Sequence, residues 1–235
     1  MNKLIIDNNI NIEEIIIDKD MDLVINLKEI SKRLAIQVMS NVCLRVFDTS
    51  QNTLDDITYN IDSNSQVLIN KFSIDCSDKI TININDENSK VTFNSSIINY
   101  KDNEYRQIIN HNYKNSESKI VNHCLNIKEN KLKLIIDGII KKDSTNTIFK
   151  QDNKIINLKN GNSFILPNLI VDNNDIEASH SAYIGTFDED VIFYMMTRGL
   201  TEKEANKLLI KAFLINSMKL EQKEEDILNA IIENI

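Results

Sequence analysis

Short apolar runs separated by polar turns recur roughly every ten to fifteen residues from Leu4 to about Leu169, and almost nothing between them can form a hairpin. Ile80-Thr81-Ile82-Asn83-Ile84 and Lys90-Val91-Thr92-Phe93 alternate apolar with polar, the period of a half-buried strand. Briefer runs stand at 15–17, 23–25, 42–46 and 67–69, and later ones at 124–127, 132–136, 146–149 and 154–158. Many short strands at regular spacing fit a sandwich, a barrel or a parallel β-helix. Hairpin dipeptides would favour the first two, and Asn160-Gly161 is the single clear one. The scarcity favours a coiled arrangement in which each strand stacks on the next turn. The chain has one Pro and four Gly in 235 residues, so the usual turn formers are nearly missing. Asn tolerates left-handed turn positions best among the rest, and the Asn-rich spacers read as turns. A genome rich in A and T would inflate Asn, Ile and Lys together, and is the bland account of the same composition. The interval 27–36 fits either a helical turn or two, or two strands.

The last part changes character. Asp188-Glu189-Asp190 leads the apolar stretch 191–196, and acids suit the positive end of a helix dipole. Gly199 suits a helix C-terminus. Thr201 and Glu204 have the spacing of a capping box. Behind them Ala205, Leu208, Leu209, Ala212 and Phe213 fall on one helical stripe. A third helix is expected near 221–233, with Ile227, Leu228, Ile231 and Ile232 as its stripe. The expected organisation is a strand-rich body over 1–186 and a helical segment over 187–235.

Composition excludes several functions. Lys plus Arg is 27 against 35 Asp plus Glu, a net charge of -8. That balance argues against a binder of duplex nucleic acid. No stretch approaches 18 apolar residues, so no membrane span is expected and the chain reads as cytoplasmic. Cys43, Cys76 and Cys124 are widely spaced, which suggests neither a disulfide framework nor a zinc site. His123 and Cys124 are strand neighbours that point to opposite faces and cannot easily share a metal. His111 lies in a polar run read as turn or sheet edge, with no role. There is no phosphate loop and no nucleophile elbow. Carboxylates occur in turns or on helix faces, without the paired groove pattern of a carbohydrate-cleaving β-helix. The chain reads as not an enzyme.

His180 differs because of its company. Pro167 opens an apolar-acidic strand, Ser179-His180, Ala182 and Gly185 follow, and then come Phe193-Tyr194, Arg198-Gly199 and the capped helix. From Pro167 to Phe213 the chain resembles the C-terminal signature of the SufB/SufD family of iron–sulfur cluster assembly proteins. Ser181 replaces the family's Gly after the His, and Tyr183 replaces a Thr. The resemblance implies a mainly β fold, a right-handed parallel β-helix with a small C-terminal α-helical tail. The family usually has a long helical N-terminal region, and with β-type runs starting near Leu4 a short form without it is expected here. The resemblance also implies that two SufB/SufD-type chains pair through their β-helices as a homodimer or heterodimer, and that the C-terminal helices dock the ATPase SufC. Phe193, Tyr194, Arg198 and Gly199 are the partner-binding candidates.

SufB-type scaffolds carry a Cys fifteen residues before the Pro, and here that position is Asp152. Many SufD chains carry a Cys two residues before the His, and here that position is Ala178. SufB chains also tend to carry carboxylates flanking the His, where Ser179 and Ser181 stand here. That and Asp152 are the departures that point to the SufD side, whereas Ala178 departs from the SufD pattern itself. His180 is then the family-type ligand that remains, an iron or iron–sulfur ligand at a dimer interface. One imidazole cannot hold a cluster alone, so any cluster would be transient and need a partner chain. The leading expectation is a non-catalytic subunit of the Suf machinery. The alternatives are a homodimeric SufB-like scaffold that helps hold a nascent cluster, and an interaction module that has lost cluster assembly.

Overall fold

The computed structural model describes residues 2–10 and 12–233. Two parallel sheets face each other. The first contains β1 (Asn2–Asp7), β3 (Met21–Lys28), β5 (Cys43–Gln51), β7 (Gln66–Ile74), β9 (Lys90–Asn99), β11 (Glu117–Asn126), β13 (Thr147–Asn157) and β15 (Ile176–Gly185). The second contains β2 (Glu14–Ile17), β4 (Arg33–Val38), β6 (Asp56–Ile61), β8 (Lys79–Ile84), β10 (Asn103–His111), β12 (Lys131–Ile140) and β14 (Asn162–Val171). Strands alternate between the sheets along the chain, so each coil contributes one strand to each. Every strand pairing is parallel. This is a β-solenoid of the parallel β-helix kind, as the missing hairpin signals imply. Asn160-Gly161 sits at the corner between β13 and β14, which lie in different sheets. The interval 27–36 resolves into the end of β3 and the start of β4.

Asn builds the corners. Asn41, Asn64, Asn88, Asn115 and Asn146 all have φ between 53° and 65° and recur at one corner of successive coils. A side-chain amide tolerates this left-handed conformation better than other non-Gly residues. The amides then stack: Asn88 Nδ2 donates to Asn64 Oδ1 at 3.1 Å, and Asn146 Nδ2 to Asn115 Oδ1 at 2.9 Å. A second stack runs along a strand face, from Asn110 to Asn83 at 2.7 Å and from Asn83 to Asn60 at 2.8 Å. Coil length grows along the chain, from 19 residues between Asn2 and Met21 to 31 between Asn122 and Asn153.

The core between the sheets holds Leu23, Val46, Ile69, Phe93, Ile120, Leu134, Phe149 and their neighbours, all buried. It also holds charge. Lys71 Nζ lies 2.8 Å from Asp48 and 3.2 Å from Asp78, with all three side chains buried. Burial opposes the Lys71 ammonium, but the carboxylates of Asp48 and Asp78 keep it protonated and raise its pKa. His111 is fully buried at the end of β10, and its ring nitrogens each lie 2.7 Å from a hydroxyl, those of Ser116 and Ser118. This corrects its reading as a turn or sheet edge. The neighbouring polar residues Asn110 and Asn112 face outward, whereas the strand period turns His111 into the core.

Three helices follow: α1 (Glu189–Thr197), α2 (Glu202–Ile215) and α3 (Gln222–Ile232). Asp188 caps α1 by accepting from Asp190 N at 2.9 Å, and Gly199 leaves it with φ 97°. The Thr201–Glu204 capping box is formed. Helices α2 and α3 pack on the outer face of the first sheet. Ile210, Leu214, Met218, Leu228 and Ile232 meet Phe47, Phe72, Ile98, Leu125 and Ile156 in a second apolar layer. The stripe of α2 is rotated from the expected one. Ala205 is buried as expected, but Leu208 is 47% exposed and Ala212 is exposed, while Ile210 and Leu214 take their place. Likewise Leu228 and Ile232 of α3 are buried and Ile227 is exposed. Both helices are apolar around more than one face, and the sheet selects the face.

Candidate functional site

Strands β14 and β15 form the last coil, and each pairs on one side only. Nothing stacks beyond them among the described residues. Their apolar side chains are correspondingly open: Phe164, Leu166, Ile170, Val171, Tyr183 and Ile184 are all exposed. A solenoid end with open backbone edges and apolar side chains is a natural pairing surface.

His180 lies on this coil and is exposed. Its register partner on β13 is Gln151, and that of Ser181 is Asp152. Successive strand residues face opposite ways. Ala178, two residues away, packs against the inner core, so His180 sits on the inward face at the open end of the solenoid. Asp152 and Ser181 occupy the outward face, where Ser181 Oγ donates to Asp152 Oδ1 at 2.5 Å and Lys154 Nζ lies 3.3 Å from Oδ2. Partial burial alone would raise the Asp152 carboxyl, but the Ser181 bond and the Lys154 charge hold it below the usual carboxylate range. Asp152 and His180 therefore do not converge on one point within this chain.

The cysteines are elsewhere. Cys124 is buried in the core and burial pushes its thiol pKa upward. Cys76 is buried beside Thr53 Oγ1 at 3.2 Å, with its thiol pushed up to about 11, first by burial. Cys43 is exposed on β5. His123 and Cys124 point to opposite faces, as the strand period requires: Cys124 joins the inner core, while His123 reaches α2. Among the described residues no group of three or more His, Cys, Asp or Glu side chains is placed to hold a metal ion. The coil offers one imidazole and no thiolate, so a metal cargo held at His180 would need further ligands from outside this chain.

The last coil is followed by α1, which packs on α2 and has no buried residue. Phe193 is 68% exposed and Tyr194 57% exposed. The Arg198 guanidinium lies over the Tyr194 ring at 5.2 Å, and its Nη2 donates to the Tyr194 hydroxyl at 3.2 Å. This is an i,i+4 pair on one helix face. Gly199 ends the helix one residue later. The four partner-binding candidates thus share the exposed end of one helix. A cleft of about 610 Å³ beside α1 is lined by Leu158, Thr186, Phe187, Ile192, Phe193 and Met196 among others.

The rest of the tail is fixed. Orphan carbonyls at the end of α2 are met by side chains of the sheet. His123 Nδ1 donates to Phe213 O at 2.5 Å and Ser96 Oγ to Leu214 O at 2.5 Å. Beyond the helix, Asn70 Nδ2 donates to Lys219 O at 2.8 Å. Arg45 pairs in bidentate fashion with Glu224 of α3, its Nη1 lying 2.7 Å from Oε1. Successive strands β11, β9, β7 and β5 thus each hold one point of the tail. Sequence reading had no signal for this row, because each donor is an ordinary polar residue on a strand.

Residues 44–213 match the family model described as the SUF system FeS cluster assembly, SufBD core domain. An iron–sulfur cluster assembly SufBD family protein of Mycobacterium leprae is 31% identical over 100 residues, which cover 40% of this chain and 26% of that protein. The iron–sulfur cluster assembly protein SufD of Bacillus subtilis is 32% identical over 68 residues, 28% of this chain and 16% of its own length. A SufBD family protein of Pyrococcus horikoshii is 40% identical over 53 residues, 23% of this chain and 12% of its own length. The matched stretches therefore span about a quarter or less of these relatives.

Proposed function

This chain belongs to the SufBD family and so has a role in iron–sulfur cluster assembly, and from that premise we propose that it serves as a non-catalytic subunit that pairs through its last coil and offers α1 to a SufC-type ATPase. The observation that carries this reading is the contrast within the tail. Helices α2 and α3 are held to the sheet at four successive strands, whereas α1 buries nothing and presents Phe193, Tyr194 and Arg198. A helix kept in place on a rigid body with an uncovered aromatic face suits insertion into a partner's groove. The open edges of β14 and β15, with their exposed apolar side chains, support pairing with another solenoid of the same kind.

The missing thiolate favours an accessory role over a complete scaffold. Asp152 and Ala178 stand where the resemblance places cysteines, and the two remaining core cysteines are buried. A cluster would then be cargo shared with a second chain, His180 supplying one ligand.

Co-elution tests the reading. The purified chain mixed at micromolar concentration with a SufC-type ATPase is expected to form a complex that Phe193→Ala weakens. Absence of any complex, with both proteins folded, overturns the docking role.

A further inference from the structure

The cleft of about 610 Å³ beside α1 has an apolar wall and an acidic mouth. Leu158 just past β13, Phe187 ahead of α1, and Phe193 and Met196 on α1 form the wall. Glu189 and Asp190 from the first turn of α1, and Glu202 from the first turn of α2, line the same opening. The starts of two helices thus converge on one cleft. No Lys, Arg or His lines it among the described residues. All three acidic residues are exposed, and none of their carboxylates forms an ion pair among the described residues.

Capping does not account for these acids. Asp188 caps α1 by accepting from Asp190 N at 2.9 Å, and α2 has its Thr201–Glu204 box. Glu189, Asp190 and Glu202 come in addition to those caps. Each suits the dipole of its own helix, but that attraction needs no shared opening, and like charges around one mouth oppose one another. The apolar wall is uncovered as well, with Phe193 68% and Met196 42% exposed. Open apolar surface rimmed by charge marks a contact site, and the sign of the rim selects its occupant.

We propose that this cleft receives a lysine or arginine side chain of the docked ATPase, with its aliphatic stem along Phe193 and Met196 and its charged head among Glu189, Asp190 and Glu202. This rests on the docking role proposed above for α1 and specifies the chemistry of the surface that docks. Long basic side chains bury an apolar stem while keeping the charge near water, which fits a cleft that is apolar within and acidic at the rim. A wholly apolar occupant would desolvate the carboxylates without compensation, and an acidic one would be repelled.

Titration of the full chain with a SufC-type ATPase at about 50 and about 300 mM NaCl tests this. The combined variant Glu189→Gln, Asp190→Asn, Glu202→Gln keeps Asp188, Thr201 and Glu204, so both helices stay capped. It is expected to bind about tenfold more weakly at low salt and to lose most of the salt dependence. Glu202→Lys alone puts a like charge at the mouth and is expected to weaken binding at least as far. Glu129→Gln with Asp143→Asn removes two exposed carboxylates between solenoid strands, and is expected to change the affinity by less than about twofold. Undiminished binding by either folded cleft variant, or an equal loss in the control pair, overturns the proposal. Weakened binding of Phe193→Ala in the same experiment then leaves the docking role standing. An unsubstituted chain that forms no complex overturns the docking role, and this proposal with it.

Discussion

His123 and Phe213 are locked together twice: Nδ1 of the imidazole donates to the Phe213 carbonyl at 2.5 Å, and the two rings stack with centroids 4.6 Å apart and planes 5° from parallel. The strand residue thus satisfies a carbonyl in the last turn of α2 and packs against the side chain of the same residue. A carbonyl can only accept, so the proton sits on Nδ1. Burial holds the imidazole pKa below its usual value, against the pull of the Phe213 bond.

His123→Ala removes the stack and leaves that carbonyl short of a partner. The expected loss of stability is about 2 kcal/mol, read by urea unfolding. Amide exchange should rise in α2 more than in the solenoid. Equal exchange in both would show that this contact does not hold the tail.

Arg45 and Glu224 tie β5 to α3 through a mostly buried bidentate pair. Glu224→Gln leaves the Arg45 guanidinium without its main counter-charge, although Glu221 remains 3.5 Å from Nη1. The expected loss is about 3 kcal/mol, with α3 exchanging fastest. A double variant, Arg45→Met with Glu224→Met, should recover much of it. No recovery would mean that the pair acts through more than uncompensated charge.

On α1 the prediction is the opposite. Phe193→Ala and Tyr194→Ala should change stability by less than about 0.5 kcal/mol, because neither side chain is buried. They should nonetheless weaken the proposed ATPase complex at least tenfold, as central aromatic anchors do. Titration calorimetry reads the affinity, and unchanged binding removes α1 as the docking element.

Two buried groups give opposing pH dependences. Burial lowers the His111 pKa from 6.5 to about 4, so the unfolded chain binds a proton that the folded chain refuses, and stability falls as pH drops through that window. Burial, the leading cause, raises the Asp55 pKa from 3.8 to about 6, so its contribution weakens the fold as pH rises through that window. Each is worth about 3 kcal/mol over its full shift. Asp55→Asn should therefore steepen the loss of stability below pH 6, and His111→Asn should flatten it. Urea midpoints at pH 4, 5, 6 and 7 decide, and an unaltered profile in both variants refutes the assignment.

Gly138 is a packing requirement. A Cβ there would stand 2.5 Å from ring atoms of Phe149, which is fully buried and has nowhere to move. Gly138→Ala should cost about 2 kcal/mol, and Gly138→Ala with Phe149→Leu should be more stable than Gly138→Ala alone. A fully stable Gly138→Ala would mean that the ring shifts freely.

The period-two runs and the missing hairpin dipeptides are local facts, and they were enough to read a coiled stack of strands. The same holds for the Asn corners, the capping box at Thr201 and the glycine exit from α1. The segment around His180 also carried its family in plain order and spacing. Each of these depends on residues close together in the chain.

The tertiary structure decided what depends on register between strands 19 to 31 residues apart. It chose which face of α2 meets the sheet, turned His180 inward and Asp152 outward, and buried Lys71 among carboxylates. A strand's own sequence fixes which residues share a face, but only its stacked neighbours decide whether that face is core, charge cluster or open end. That is the physical reason the architecture could be read in advance and the detailed site could not.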